Sequence, residues 1–334
     1  MEKVLFFDAD PQLKSFFEQH LSRQAELFFT SKSIYQPLTK NLPTDVRVIS
    51  VFAHALPITE KTLRPFKDLK LLSTRSTGYN HIDLDYCRQK HIAVVNVPNY
   101  GEATVAEFTF GLILGLTRKI YPAKSDIKKN DVQLNKYMGI DLEGRTLGIV
   151  GTGAIGRHVA HLGHAFDMKI LAYDPYPNTQ IKYITYVPFE NLVRQSDIIT
   201  LHCPATEQNL HLFNKETFAQ MKPQAFLVNT ARGSLVDTED LYEALRTKQI
   251  AGAALDVLEN EDVLMQREID LGAHKTSRQA LVDSLLNLKL MQLDNVIITP
   301  HIAFNSTDAV QRILKTTADN ITAFLQGKPV RVLQ

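Results

Sequence analysis

The sequence predicts an α/β chain built from two doubly wound parallel sheets, and three observations carry that expectation. Short β-branched or aromatic runs alternate with helix-length amphipathic stretches, the pattern of βαβ units. The runs fall into two series, one ending near Val97 and one beginning near Thr146. A chain of 334 residues is long enough for two such units at ~100–200 residues each.

In the first series Val4–Phe7 reads as a strand, and Pro11–Ser22 reads as a helix because Leu13, Phe16, Phe17 and Leu21 recur at helical spacing. Further strands are predicted at Glu26–Phe29, Val46–Val51, Leu69–Ser73 and Ala93–Val97. Glu102–Lys119 follows as a long helix with Ala106, Phe110, Ile113, Leu114 and Thr117 on one face, placed to bridge the two units. The second series is Thr146–Val150, Lys169–Tyr173, Asp197–Leu201, Ala225–Asn229, Ala251–Leu255 and Val296–Thr299, which makes a sheet of six strands. Thr307–Leu325 reads as an amphipathic helix returning the chain to the first unit. The expected division is therefore 1–101 with 302–334, a discontinuous unit, around 102–301.

With 37 Lys+Arg against 36 Asp+Glu, the chain has no excess charge for polyanions, so no nucleic-acid partner is expected. Cys87 and Cys203 are too few for a disulfide framework of the secreted kind. The N-terminus turns to charge at Asp8 after a short apolar run, so no signal peptide or membrane span is expected there, and a reducing cytoplasm is the default. No short-period repeat or low-complexity tract interrupts the pattern.

Gly151-Thr152-Gly153-Ala154-Ile155-Gly156 directly follows the apolar run ending at Val150 and opens a helical stretch. Three glycines so placed allow a tight turn, close approach to a pyrophosphate and close packing of helix on strand, while the helix N-terminus supplies N–H donors. The next strand ends at Asp174, where an acidic side chain can bond both ribose hydroxyls and repel a 2′-phosphate. The expected cofactor is NAD rather than NADP. His158, His161 and His164 recur on the same helix, but successive i, i+3 steps drift by about 60°, and no Cys or carboxylate completes a set. A solvated or half-buried face is expected there, and no metal.

Arg232, Glu261 and His301 each follow an apolar strand of the second series. In an open α/β sheet the carboxyl ends of the strands face the ligand crevice, so all three can reach the nicotinamide end of a dinucleotide. A guanidinium binds a carboxylate through two parallel hydrogen bonds, which makes Arg232 a clamp for a 2-oxo acid. An imidazole donates a proton to a carbonyl oxygen and takes it back at neutral pH, the part assigned to His301. A carboxylate on the other ring nitrogen orients that imidazole and sets its tautomer; Glu261 suits this role, and Glu259 stands only two residues away.

The segments Ser76–Asp83, Gly151–Gly156, Asn229–Gly233, Asp256–Glu261 and Thr299–His301 resemble, in that order and along almost the whole chain, the D-isomer-specific 2-hydroxyacid dehydrogenases. The resemblance implies a catalytic Arg232, Glu261 and His301, a Rossmann NAD-binding domain inserted in a flavodoxin-like substrate domain, and a homodimer. It also implies substrate contacts from the Thr77-Gly78 backbone, Tyr100 and Phe304. Along the cofactor it places the Gly151, Gly153, Ala154, Ile155 and Gly156 loop, then Cys203, Pro204, Asn209, Thr230 and Ala231, with Asp256 on the nicotinamide carboxamide. Within the family the D-lactate branch is most similar, through Val97-Pro98-Asn99-Tyr100, Pro204 with Asn209-Leu210-His211, and His301-Ile302-Ala303-Phe304. A bulky Phe304 would shrink the pocket around a methyl-sized side chain.

The expected activity is therefore NADH-dependent reduction of a small 2-oxo acid, best pyruvate to D-lactate. The alternatives are hydroxypyruvate or glycerate, 2-hydroxyisocaproate, phosphite or formate chemistry, and an NADH-sensing corepressor of the same fold. Two features depart from the family pattern. The interval from Glu261 to His301 is about twice the common length and includes Thr276–Leu293, with Leu281, Leu285 and Leu288 on one helical face, read as a lid, a dimer arm or a surface elaboration. Thr77 and Asn80 also differ from lactate-specific members, which leaves room for a longer 2-oxo acid.

Overall fold

A computed structural model describes residues 1–36, 42–52, 57–79, 81–259 and 278–333, with the backbone alone for 278–281. Asn80, Glu261 and the Leu281 side chain lie outside the described residues. The chain divides into two compact units, Met1–Tyr100 with Ser306–Gln334, and Gly101–Asn305.

In the smaller unit β1 (Glu2–Phe6), β2 (Ala25–Phe29), β3 (Val48–Val51), β4 (Leu71–Thr74) and β5 (Ala93–Val95) pair in parallel in the order β2-β1-β3-β4-β5. This is the flavodoxin-like order, reversing between β1 and β3. β3 and β4 are buried along their whole length, as parallel strands covered on both faces must be. The helix Pro11–Leu21 starts where the Asp10 carboxylate accepts from Leu13 N at 2.7 Å and Pro11 fills a position whose missing N–H costs nothing. It buries Leu13, Phe17 and Leu21. The helix Thr307–Leu325, capped by Ser306, adds Leu314, Ala318 and Ile321 to the same cluster as Phe6 and Phe17. Each fully buried Phe or Leu there contributes about 1.5–3 kcal/mol.

The larger unit holds β6 (Thr146–Val150), β7 (Lys169–Tyr173), β8 (Ile184–Tyr186), β9 (Ile198–Leu201), β10 (Phe226–Asn229), β11 (Gly252–Leu255) and β12 (Val296–Ile298). The order is β12-β11-β10-β9-β6-β7-β8, all parallel, reversing between β6 and β9. The sheet has seven strands where the sequence predicted six. The addition is β8, an edge strand of three residues, too short to show an alternation of its own. The helix Glu102–Thr117 does not show the single apolar face expected of it: Val105, Ala106, Phe110, Leu112, Ile113 and Leu116 are all buried, and it packs on the helix Ala154–Ala165 and on β10, β11 and β12. A helix apolar on most sides is one that is covered on most sides.

The lengthened interval before His301 contains the helix Arg278–Leu290. Among its described side chains Asp283, Ser284, Asn287 and Leu290 are buried, while Leu285 and Leu288 are 61% and 46% exposed. Among the described residues no helix is long and apolar enough to cross a membrane.

Candidate active site

Strand register in the larger unit builds the site. Val150, Tyr173, Leu201, Asn229, Leu255 and Ile298 are matched rung by rung across the sheet, so each chain segment that leaves these residues starts at the same edge. Gly151, Asp174, Cys203, Arg232, Asp256 and His301 all lie on those segments.

Gly151 turns the chain at φ 94°, and a Cβ there would meet Cys203 N at 2.7 Å. A Cβ on Gly156 would collide with the Gly151 carbonyl, whereas around Gly153 there is open space. Gly153 is also the N-cap of the helix Ala154–Ala165 and has no side chain to close that helix N-terminus, where Ala154 and Ile155 form the first turn. The result is a backbone cradle open at the positive end of a helix, which suits a pyrophosphate. At the end of β7, Asp174 Oδ2 accepts from Thr152 N at 2.6 Å and Thr152 Oγ1 at 2.9 Å, and Oδ1 accepts from Tyr176 N at 2.8 Å. After β9, Asn209 Nδ2 donates to Pro204 O at 2.8 Å and lies 3.9 Å from Cys203 Sγ, which gathers those three residues on one loop. Burial pushes the Cys203 thiol up to about 11, which keeps it neutral at neutral pH. The cradle, the free helix end and the acidic strand terminus together fit NAD. His164 stacks on Tyr183 at 4.4 Å, which gives one member of the histidine row a packing role.

After β10 the Asn229 side chain braces the turn, accepting from Ala231 N at 3.0 Å and donating to Arg232 O at 2.8 Å. Thr230 Oγ1 meets Thr109 Oγ1 at 3.0 Å. Arg232 is exposed and spends one guanidinium donor on Ala231 O at 2.6 Å, which leaves the rest of its five-donor fork for a ligand.

His301 sits in a left-handed turn at φ 53°, a conformation that costs a non-glycine residue about 1–3 kcal/mol. The turn is held by Asp256, whose Oδ1 accepts from Thr299 Oγ1 at 2.5 Å and Ile302 N at 2.9 Å, whose Oδ2 accepts from Ala303 N at 2.8 Å, and whose carbonyl accepts from His301 N at 2.9 Å. Burial raises the Asp256 carboxyl against these bonds and the nearby His301. Among the described residues three of its roughly four acceptor positions are taken. The Phe304 ring stands nearly perpendicular to the His301 imidazole, centroids 6.5 Å apart.

Glu259 is committed elsewhere: Oε1 meets His211 Nε2 at 2.6 Å, Oε2 accepts from Thr238 Oγ1 at 3.2 Å, and its carbonyl accepts from Asn287 Nδ2 at 3.0 Å. His211 Nδ1 also lies 3.2 Å from Asp237 Oδ2. This ties the loops that follow β9, β10 and β11 together.

In the smaller unit Thr77, Gly78 and Tyr100 occupy the loops after β4 and β5. Thr77 Oγ1 donates to Val97 O at 2.9 Å, and Thr77 O accepts from Asn96 Nδ2 at 2.8 Å. Tyr100 O accepts from Arg312 Nε at 2.7 Å. Beneath this loop Arg75 is buried, donating to Ser50 Oγ at 2.9 Å and Phe7 O at 2.7 Å. Burial lowers its guanidinium to about 10, so it stays charged at neutral pH. Arg75, the His211 brace and the anchoring role of Asp256 escape a sequence reading, because each depends on contacts across the chain; Asn229 braces its own turn and leaves a local signal, an amide residue ending the apolar run Phe226–Val228.

The fold and this sheet edge define a dinucleotide-binding oxidoreductase. Residues 110–303 match the family model described as D-isomer specific 2-hydroxyacid dehydrogenase, NAD binding domain. An aromatic 2-oxoacid reductase of Clostridium sporogenes is 40% identical over 268 residues, covering 79% of this chain and 78% of that protein. A D-lactate dehydrogenase of Curvularia clavata is 38% identical over 256 residues, 76% of this chain and 71% of that one. The crystal structure of the D-lactate dehydrogenase from Aquifex aeolicus, complexed with NAD and lactic acid, superposes with a TM-score of 0.84 at 35% identity, covering 97% of this chain and 96% of that one. The chain belongs to the D-isomer-specific 2-hydroxyacid dehydrogenases, NAD-dependent oxidoreductases.

Proposed function

We propose that this protein reduces a small 2-oxo acid to the D-2-hydroxy acid with NADH, pyruvate to D-lactate being the best-supported reaction. The observation that carries the reading is the placement of Arg232 and His301 at the carboxyl ends of the sheet whose first loop is the glycine cradle, with His301 held in a strained turn by Asp256. Bound NADH supplies the hydride. The Arg232 fork holds the substrate carboxylate and so fixes which face of the carbonyl is presented. Protonated His301 gives its proton to the carbonyl oxygen as that carbon is reduced, and Glu261 steadies the imidazolium. Glu259 is the weaker candidate for that last part, since both its oxygens are engaged by His211 and Thr238. Asp256 serves the nicotinamide carboxamide, and Asp174 the adenosine ribose. Thr77, Gly78 and Tyr100 keep their substrate contacts.

Phe304 beside the His301 imidazole supports a short substrate side chain. The likeness to an aromatic 2-oxoacid reductase favours a second reading, an aromatic or branched 2-oxo acid. A panel of 2-oxo acids assayed with NADH and NADPH decides: highest kcat/KM for pyruvate supports the first, highest for phenylpyruvate the second, and no turnover of any 2-oxo acid overturns both. A cytoplasmic homodimer belongs to the same proposal. Its support is the run of exposed apolar side chains Ile120, Tyr121, Ile127, Val132, Leu134 and Met138, a concentration that monomers seldom leave in water. A monomer by light scattering would overturn it.

A further inference from the structure

A chain of hydrogen bonds runs from the segment after β7 through β8 to the glycine loop. Asn178 N donates to Tyr186 Oη at 3.1 Å, Tyr186 Oη to Thr152 Oγ1 at 3.1 Å, and Thr152 Oγ1 to Asp174 Oδ2 at 2.9 Å. Its direction is forced. A backbone N–H can only donate and an ionised carboxylate can only accept, so the two hydroxyls between them must each pass their single proton toward Asp174. Thr152 is 3% exposed, and its backbone N–H also donates to Oδ2, so that oxygen is saturated. Among the described residues Oδ1 takes only Tyr176 N and keeps acceptor capacity.

We propose that Tyr186 is a positioning residue for cofactor choice: its hydroxyl locks the Thr152 rotor and the 176–178 segment so that Asp174 presents Oδ1 in one fixed direction to the ribose. This rests on the reading of Asp174 as the ribose carboxylate. A carboxylate held on three sides cannot swing away from a 2′-phosphate, so the fixed orientation accepts ribose hydroxyls and penalises NADP(H). A carboxylate free to turn would do both less well. β8, the strand the sequence did not reveal, is present at the sheet edge to deliver this hydroxyl.

The test is direct binding of NADH and NADPH by fluorescence titration to the full chain, with thermal melting alongside. Tyr186→Phe removes only an oxygen, and one hydrogen bond of ordinary strength corresponds to a roughly 3–10-fold narrowing of the NADH over NADPH affinity ratio. Thr152→Val breaks the same chain at its middle and should narrow the ratio likewise. In an Asp174→Ala background Tyr186→Phe should have no further effect on the ratio. A merely structural Tyr186 would instead lower the melting temperature and weaken both cofactors in step, which overturns the proposal. If Asp174→Ala changes the ratio while Tyr186→Phe and Thr152→Val do not, the relay is wrong and the Asp174 reading stands. An unchanged ratio in Asp174→Ala removes both.

Discussion

Gly233 is where a single methyl group should separate catalysis from cofactor binding. Its Cα faces the backbone of the next strand's loop so closely that an added Cβ would strike the Leu258 carbonyl and lie 2.6 Å from Glu259 N. Ordinary van der Waals contact begins near 3.4 Å, so the loops after β10 and β11 must part by roughly 1 Å. Neither loop gives easily: Asn229 holds one at Arg232 O, while Asn287 and His211 hold the other at Glu259. Gly233→Ala should therefore cost about 1–3 kcal/mol of stability, the range for forcing atoms into a packed interior. Because the displacement starts beside Arg232 and just before Glu261, a misplacement of about 1 Å should also lower kcat by about 10²-fold. NADH affinity should fall far less than kcat, since the glycine cradle and Asp174 lie on the other half of the sheet and only the contacts from Thr230, Ala231 and Asp256 sit beside the displaced loops. Steady-state kinetics with pyruvate, NADH fluorescence titration and urea unfolding read the three quantities. Gly111→Ala is the control, because nothing lies within 4 Å of its added Cβ; it should stabilise the helix by up to about 1 kcal/mol. A Gly233→Ala enzyme with turnover within threefold of the parent and an unchanged urea midpoint would refute the argument.

His301→Gln should lose ~10²–10⁴ in turnover while binding NADH almost normally, and a mild loss would place the proton donor elsewhere. Arg232→Lys keeps the charge but not the planar fork, so KM for the 2-oxo acid should rise and kcat fall; unchanged kinetics would make Arg232 a surface residue. Phe304→Ala should move preference from pyruvate toward branched or aromatic 2-oxo acids by the ~1–3 kcal/mol a hydrophobic pocket discriminates, and an unmoved profile would put Phe304 outside the pocket. Burial works against the His211 imidazolium, but the Glu259 hydrogen bond and the charges of Glu259, Asp237 and Asp240 outweigh it and raise its pKa above 6.5. The brace is therefore fully stabilising below pH 6.5 and is lost as pH rises through the raised value. Urea midpoints of the parent and His211→Gln should converge from pH 6 to pH 9, and a constant gap would show that the imidazolium charge contributes nothing.

By itself the sequence determined what repeats locally. Alternating apolar strands and amphipathic helices announce two parallel sheets, Gly151–Gly156 announces a tight turn onto a helix, and Asp174, Arg232 and His301 stand out as polar residues just past apolar runs, because strand ends and turn chemistry are written in consecutive residues. Tertiary structure decided whatever depends on partners distant in the chain. β8 is too short to show a period and exists because β7 offers it an edge. The helix Arg278–Leu290 buries Asn287 rather than Leu285 because Glu259 O offers a hydrogen bond on that side. Asp256 anchors the His301 turn 45 residues on, and Glu259 is drawn to His211 across two loops. A hydrogen bond between strands has no periodicity along the chain, so its partners become known only when the sheet brings them together.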